Sequence, residues 1–156
     1  MEFDVQIKSG DLYDYMMKHT YNSPAGLLGS VVGALMVVVG LAKMYVLFIV
    51  LGAVLLLYLP YTLFIKSKRQ SLNPVFQKPL HYRVDEEGIT VSQGEVSETQ
   101  KWENIYKAIS TSKSIIVYTS KVNAWIFPKR ELGDETMGLI QMIVTHMDAS
   151  KVKIRQ

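Results

Sequence analysis

The chain has 156 residues, a formal net charge of +3 and 49% hydrophobic residues, with a mean hydropathy of +0.14. It contains no cysteine, which excludes disulfide bonds and thiolate zinc sites, and its slight positive charge does not favour nucleic acid as a partner. The intermediate hydropathy indicates a chain divided between a membrane part and one small soluble domain.

Residues 1–20 are predicted to form a strand and an interfacial helix. Apolar and polar side chains alternate over residues 2–8, which is typical of a half-buried strand. The apolar face consists of Phe3, Val5 and Ile7. Ser9-Gly10 is expected to end the strand, and a short helix over residues 11–20 is expected to lie along the membrane surface. Because an isolated strand is unstable, we expect it to pair with the sheet of the C-terminal domain.

Residues 21–65 are almost entirely apolar and are interrupted by a charge only at Lys43. The two uncharged runs, residues 21–42 and 44–65, each reach the length of about 20 residues that a membrane helix needs. So short a connection predicts antiparallel neighbours, and therefore a transmembrane hairpin. The alternative is a pair of buried core helices, which the rest of the chain is too short to enclose.

Small residues in both spans suggest close helix packing, at Gly29 and Gly33 in the first span and at Gly52 in the second. Two interpretations stay open. The glycines can pack the hairpin against itself, or they can form a seam for a second copy or a protein partner. Neither span contains an acidic or basic residue, which argues against a proton relay or an ion path.

Basic residues flank the hairpin asymmetrically. Lys66, Lys68 and Arg69 follow the second span, whereas Lys43 stands alone in the turn. Since basic flanks stay in the cytoplasm, both termini are predicted to be cytoplasmic. The three flanking residues are candidates for binding anionic lipid headgroups; the alternative is that they only set the topology.

A juxtamembrane linker is predicted at residues 66–79, in which the helix continues over residues 66–72 and ends at Asn73-Pro74. A soluble domain at residues 80–156 follows. Strand and turn signals recur about every ten residues from Leu80 to Phe127, which suggests an antiparallel sheet. An apolar stripe at helical spacing then predicts a C-terminal helix that covers the sheet. This stripe consists of Ile140, Ile143, Val144 and Met147. The predicted fold class is an α+β membrane protein with a two-helix hairpin and a small antiparallel β-sheet domain capped by a helix.

Three stretches of the domain carry a family resemblance. They are KWENIYKA with Trp102, Glu103 and Ile105, then Ile116–Tyr118, then NAWIFPKREL from Asn123 to Leu132. On these residues the chain resembles the YcxB-like family of small bacterial membrane proteins. The resemblance implies a multi-pass protein of the bacterial cytoplasmic (inner) membrane, with a C-terminal domain similar to the pleckstrin-homology fold, and it implies no activity. The predicted domain core is Trp102, Ile105, Tyr118, Trp125 and Phe127.

The sequence offers little catalytic chemistry. His19, His81 and His146 lie in three different predicted elements, so no metal site is predicted. The adjacent carboxylates at residues 85–87 are typical of a solvated turn rather than a catalytic pair. We therefore predict no catalytic residue, no metal and no cofactor.

Lys129 and Arg130 lie between the last predicted strand and the helix. By analogy with pleckstrin-homology-like domains, they are candidates for binding a phosphate, a lipid headgroup or an acidic segment. The alternative is a solvated loop without a ligand.

The leading functional hypothesis is a non-catalytic, membrane-anchored binding or regulatory protein that presents its small domain at the inner membrane surface. Its expected partners are the lipid bilayer and a protein partner or a second copy through the hairpin. One alternative is an immunity-type protein that protects its own cell from a membrane-active toxin. A second alternative, an enzyme, would need a buried polar cluster in the soluble domain.

Overall fold

The computed structural model describes residues 1–154, so the last two residues of the predicted 80–156 domain lie outside the described part. The helices are α1 (Ser9–Tyr21), α2 (Pro24–Lys43), α3 (Val46–Gln70), α4 (Pro74–Gln77), α5 (Lys129–Leu132) and α6 (Glu135–His146). The strands are β1 (Glu2–Val5), β2 (Leu80–Val84), β3 (Gly88–Gln93), β4 (Val96–Lys101), β5 (Lys107–Ser110), β6 (Ser114–Tyr118), β7 (Ala124–Pro128) and β8 (Val152–Lys153).

Helices α2 and α3 form the predicted hairpin. Their ends differ from those of the predicted spans, residues 21–42 and 44–65. Helix α2 begins after Ser23, whose hydroxyl accepts a hydrogen bond from the Gly26 amide at 3.2 Å. A single left-handed residue, Met44 (φ 57°), ends it. Helix α3 continues to Gln70, which confirms the predicted helical start of the 66–79 linker. The first breaking signal comes only at Pro74, which opens α4.

Two of the three predicted packing glycines form the contact between α2 and α3. A Cβ atom at Gly52 would lie 2.7 Å from the Gly33 carbonyl oxygen, and one at Gly33 would lie 3.2 Å from the Gly52 oxygen. Gly40, which we did not predict, approaches the backbone of Ile49 in the same way. Gly29 takes no part in this contact, because a Cβ atom there would meet nothing within 4 Å.

The hairpin carries most of its apolar side chains on the outside. Leu35 is 58% exposed and Leu57 is 68% exposed. The alternative of two buried core helices is therefore wrong. Both helices are long and apolar enough to cross a membrane.

The N-terminal strand belongs to the first of two four-stranded sheets, in the order β1-β2-β3-β4. All its pairs are antiparallel, and Phe3 of β1 lies opposite Tyr82 of β2. The predicted pairing of the N-terminal strand is confirmed, and the hairpin is an insertion between two neighbouring strands. The strand ends at Val5 rather than Lys8, and Ser9-Gly10, predicted as a break, is the first turn of α1.

The second sheet has the order β7-β6-β5-β8. Strands β5, β6 and β7 form an antiparallel meander, whereas β8 runs parallel to β5 and pairs Ile109 with Lys153. We predicted one sheet, but a short 3-10 turn at Trp102–Asn104 separates β4 from β5. The Trp102 indole donates to the Asp85 carbonyl at 2.9 Å, which holds this turn on the first sheet.

The main core lies between the two sheets and α6. Trp102, Ile105 and Phe127 are buried in it, and Trp125 packs against it partly buried. Tyr118 is also buried, but it belongs to a smaller cluster with Ile109 and Ile116 on the other face of β6. In the predicted stripe of α6, Ile140, Ile143 and Met147 are buried, while Val144 is 56% exposed.

Candidate functional site: a lysine-lined groove

Helix α1 covers part of the outer face of the second sheet. Tyr15 and His19 contact the Tyr118 ring with centroid separations of 6.0 and 5.9 Å. The Tyr15 hydroxyl donates to the Val122 carbonyl at 3.0 Å. The position of α1 along the membrane surface stays a prediction; the sequence did not indicate this packing. The packing leaves the β5 and β8 side of the sheet uncovered.

A groove of about 620 Å³ lies between the C-terminal half of α1 and strands β5 and β8. Its lysines are Lys18 from α1, Lys107 from β5 and Lys153 from β8. Ile109 lies in the floor, and the register pairs it with Lys153. Thr111 and Ser112 close one end, and Asn22 extends the α1 wall. Three elements distant in sequence therefore contribute three lysines to the lining of one concave surface.

Neighbouring aromatic rings hold one of these lysines in place. The Lys107 ammonium lies 4.5 Å from the centroid of the Tyr118 ring and 5.6 Å from that of Tyr106, which is cation–π geometry. Burial raises the pKa of the Tyr118 hydroxyl to about 12, and Tyr15 adds to the effect. The phenol therefore stays neutral at physiological pH and supplies no negative charge to the groove.

The acidic residue next to the groove is already engaged. The Asp14 carboxylate accepts a hydrogen bond from the Thr111 hydroxyl at 2.6 Å. That hydroxyl in turn accepts the amides of Lys113 and Ser114, which fixes the turn between β5 and β6. Of the described residues that line the groove, none is acidic or a histidine. The groove suits a bound anion, because ammonium groups act as point charges for phosphate.

The groove lies at the end of the hairpin where the chain enters α2. Asn22 follows the last residue of α1, and α2 begins at Pro24. Helix α3 returns to this same end, where Lys66, Lys68 and Arg69 are exposed. The opposite end carries Lys43 in the turn. The positive charge of the hairpin and that of the groove are thus gathered at one end of the molecule.

Comparison with known proteins bears on part of this site. The family model for YcxB-like protein matches residues 84–141. That segment is YcxB-like. The match confirms the resemblance and runs from the end of β2 into α6. No curated protein and no solved structure matches the chain. Lys107 lies inside the YcxB-like segment, whereas Lys18 and Lys153 lie outside it.

Lys129 and Arg130, the candidate binding residues that follow the last predicted strand, form hydrogen bonds within the chain itself. The Lys129 ammonium donates to the Thr111 carbonyl at 2.8 Å. The Arg130 guanidinium binds both carboxylate oxygens of Asp11, the second at 2.8 Å, and also contacts Gln6 and Glu131. Arg130 therefore fastens α5 to the N-terminal segment, and Lys129 fastens it to the turn between β5 and β6. Ligand binding by these two residues stays a prediction.

The basic residues at the end of α3 lie apart from the groove. Lys66 and Arg69 line a shallow depression with a volume of about 520 Å³ beside Met16 of α1. The Lys68 ammonium lies 5.4 Å above the Phe64 ring. All three face solvent at the end of α3, where they add to the same positive surface without sharing a site with Lys107.

The histidines lie far from one another. His19 stacks on Tyr118, His81 contacts the Asp4 carboxylate at 2.8 Å, and His146 stacks on Trp102 at 5.3 Å. Within residues 1–154 there is no group of three or more histidine or acidic residues arranged to hold a metal ion.

Sequence reasoning missed the groove because no local motif marks it. Lys107 lies within the run of strand signals, and Lys18 lies in the short predicted helix before the first span, so neither stands out in the sequence. Lys153 lies in a strand of two residues, too short to give an alternation signal. The parallel pairing of β8 with β5 and the packing of α1 bring the three together.

Proposed function

We propose that this protein is a non-catalytic, membrane-anchored module that binds anionic lipid headgroups. The hairpin spans the bacterial cytoplasmic membrane, and the α+β domain lies at its cytoplasmic face. There the lysine-lined groove accepts the phosphate of a headgroup. The observation that carries the proposal is the convergence of Lys18, Lys107 and Lys153 at the end of the hairpin where α1 leads into α2.

The length and surface of the hairpin support membrane insertion. Helices of 20 and 25 residues reach about 30 and 37 Å, enough for a hydrocarbon core of about 30 Å. Their outward side chains would form a large apolar patch in water, and such patches mark surfaces that are covered by something else. A bilayer covers all sides of a two-helix hairpin at once.

The distribution of charge supports a cytoplasmic position for the domain. Lys66, Lys68 and Arg69 lie at the domain end of the hairpin, opposite Lys43. Basic flanks remain in the cytoplasm, and the inner leaflet attracts each basic residue near it by about 1 kcal/mol. The negative surface potential of the inner leaflet would attract the lysines of the groove as well as the basic residues at the end of α3. Both groups of residues would therefore favour contact with anionic headgroups.

The architecture supports a similarity to the pleckstrin-homology fold. Two four-stranded sheets enclose one core, and the long C-terminal helix α6 packs into it through Leu139, Ile140 and Ile143. Fold analogy alone does not establish a ligand. The headgroup proposal therefore depends on the groove residues and not on the analogy.

A charge-removal experiment tests the proposal. The full-length protein in nonionic detergent would be titrated calorimetrically with a short-chain phosphatidylglycerol, and separately with glycerol phosphate. The groove variant K18Q/K107Q/K153Q would be compared with K78Q/K101Q/K121Q, which removes the same charge from exposed lysines outside the groove.

We expect the groove variant to bind the lipid at least about tenfold more weakly, since losing about 1 kcal/mol per lysine exceeds the 1.4 kcal/mol that a factor of ten requires. The control variant should keep the parental affinity. Equal affinities in the two variants would contradict the proposal. Equal binding of glycerol phosphate and lipid would assign the groove to a free phosphate compound instead. The immunity-type hypothesis predicts that groove charge has no effect on toxin resistance.

A further inference from the structure

A second cavity, of about 280 Å³, lies between the two sheets. Helix α1 borders it on one side through Leu12 and Tyr15, and α4 borders it on the other through Val75 and Phe76. It shares no lining residue with the lysine-lined groove. Its volume lies between the about 150 Å³ that holds a benzene molecule and the about 300 Å³ of the smallest drug-sized sites. One small molecule would therefore fill it.

The walls of this cavity are apolar and rich in aromatic rings. The rings are Tyr15, Phe76, Tyr82 and Trp125. Tyr82 and Trp125 meet edge to face at 6.2 Å. Tyr82 is fully buried, and burial, with a smaller contribution from Glu98, raises the pKa of its hydroxyl group. The cavity thus offers neutral rings, whose faces attract cations and apolar groups.

The charge at the rim is negative. Glu98 is the one charged residue among the described residues that line this cavity, and its side chain is exposed on β4. Gln70, also at the rim, is the last residue of α3 and is uncharged. A carboxylate at the mouth attracts a positive charge, and aromatic rings inside the cavity bind cations and apolar groups. This combination favours an organic cation as the ligand. An anionic ligand would meet repulsion at the mouth.

Hydrogen bonds hold the outer wall in position. The Gln6 side chain donates to the Phe76 carbonyl at 2.7 Å, and the Gln93 side chain donates to the Val75 carbonyl at 2.9 Å. Gln6, which directly follows β1, and Gln93 of β3 therefore fasten α4 over the cavity from two sides. A wall fixed in advance lowers the entropic cost of binding.

We propose that this cavity binds a small organic cation with an apolar body, such as an alkyl or aryl ammonium compound. The apolar body lies among the rings, and the ammonium group lies at the mouth near Glu98. The inference depends on neither the lysine-lined groove nor insertion of the hairpin into a membrane. It gives the domain two sites of opposite charge preference.

Nuclear magnetic resonance of the full-length protein in nonionic detergent tests this inference. Benzyltrimethylammonium is the cationic probe, and benzylsulfonate is the anionic probe of similar size. The chain has two tryptophans, and Trp125 lines the cavity whereas Trp102 does not. We expect the cation to shift the Trp125 indole resonance in a saturable manner, with the Trp102 resonance unchanged and no saturable response to the sulfonate.

Two charge variants complete the test. E98Q removes the carboxylate at the mouth, and E95Q makes the same change at an exposed residue that does not line the cavity. We expect E98Q to bind the cation about fivefold more weakly, as for an exposed ion pair, and E95Q to bind it normally. Equal loss in both variants, equal binding of the sulfonate, or no saturable shift of Trp125 would overturn the proposal. So would a shift of Trp102 alone, which would place the cation at the acidic surface of Glu86, Glu87 and Glu103.

Discussion

The hairpin and the sheet domain use the same apolar residue types in opposite ways. In the hairpin, large side chains such as Leu57 point outward, and the contact between helices is made by Gly33 and Gly52. In the domain, large side chains such as Phe127 and Leu139 are fully buried. The difference shows that apolar content does not locate a core. In the hairpin, glycines make the contact because they have no side chain and the backbones can approach closely. In the domain, large apolar side chains make the contact.

Truncating one phenylalanine in each region is expected to give the largest contrast. Phe127 is fully buried against Phe3 and Tyr82, so F127A should lower the free energy of unfolding by about 3–5 kcal/mol. Phe48 is 42% exposed on the hairpin, and F48A should change domain stability by less than about 0.5 kcal/mol. Denaturant unfolding in mild detergent, followed by tryptophan fluorescence, reports on the domain. Equal losses would mean that the two regions form one packed core.

The ion pair between Arg130 and Asp11 allows an asymmetric test inside the domain. The Asp11 side chain is 4% exposed, whereas that of Arg130 is 42% exposed. R130A leaves the buried carboxylate with its hydrogen bond from the Lys8 amide but without its cation, and should cost about 3 kcal/mol. D11A leaves a guanidinium that reaches water, so it should cost less, about 1–2 kcal/mol. The same denaturant titration measures both variants, and a larger loss in D11A would contradict this account of the pair.

Adding bulk to the glycines tests the hairpin side of the comparison. G52L would force a side chain against the Gly33 backbone, with an expected cost of about 1–3 kcal/mol for overpacking. G29L is the matched control, because a Cβ atom there meets nothing within 4 Å. Spin labels at Leu28 and Leu57, both exposed, should move apart in G52L and not in G29L. If G29L instead abolished self-association, Gly29 would belong to a seam between two copies.

The smallest expected effect concerns one hydroxyl in the domain. Ser114 is fully buried, and within the described chain its hydroxyl has no hydrogen-bond partner. S114A should therefore leave stability unchanged or raise it by up to about 1 kcal/mol. T111A, which removes a hydroxyl with several partners, should lower stability by about 1 kcal/mol. A loss in S114A as large as in T111A, measured by thermal unfolding, would mean that Ser114 has a partner.

Much of this contrast could be predicted from local patterns. The apolar runs around Lys43 identified both helices, and the alternation of residues 2–8 predicted a strand that needs a sheet. Phe127 could be assigned to the core because it alternates with Trp125 along a strand, and Trp102 and Ile105 because they belong to the motif that carries the family resemblance. Element ends were less predictable. Strand β1 ends at Val5 although the alternation continues to Lys8, whereas the helical continuation after residue 65 was expected and reaches Gln70.

The features that could not be predicted depend on long-range packing. The division into two sheets follows from the turn at Trp102–Asn104, which has no strong breaking residue. The engagement of Arg130 by Asp11 links residues 119 positions apart. The groove needs α1, β5 and β8 together. Gly29 was grouped with Gly33 by spacing, but a helix has several faces, and only the position of α3 decides which face is covered.

The most direct test of the membrane-anchored account is the sidedness of the chain in intact cells. Because the natural chain has no cysteine, single cysteines at Lys43 in the turn and at Ser112 in the domain would each be the only reactive thiol. We expect an impermeant maleimide to label K43C in intact cells, and S112C only after the cytoplasmic membrane has been opened. Labelling of S112C with protection of K43C would contradict the account by reversing the orientation. Protection of both positions until the cells are opened would contradict the span itself.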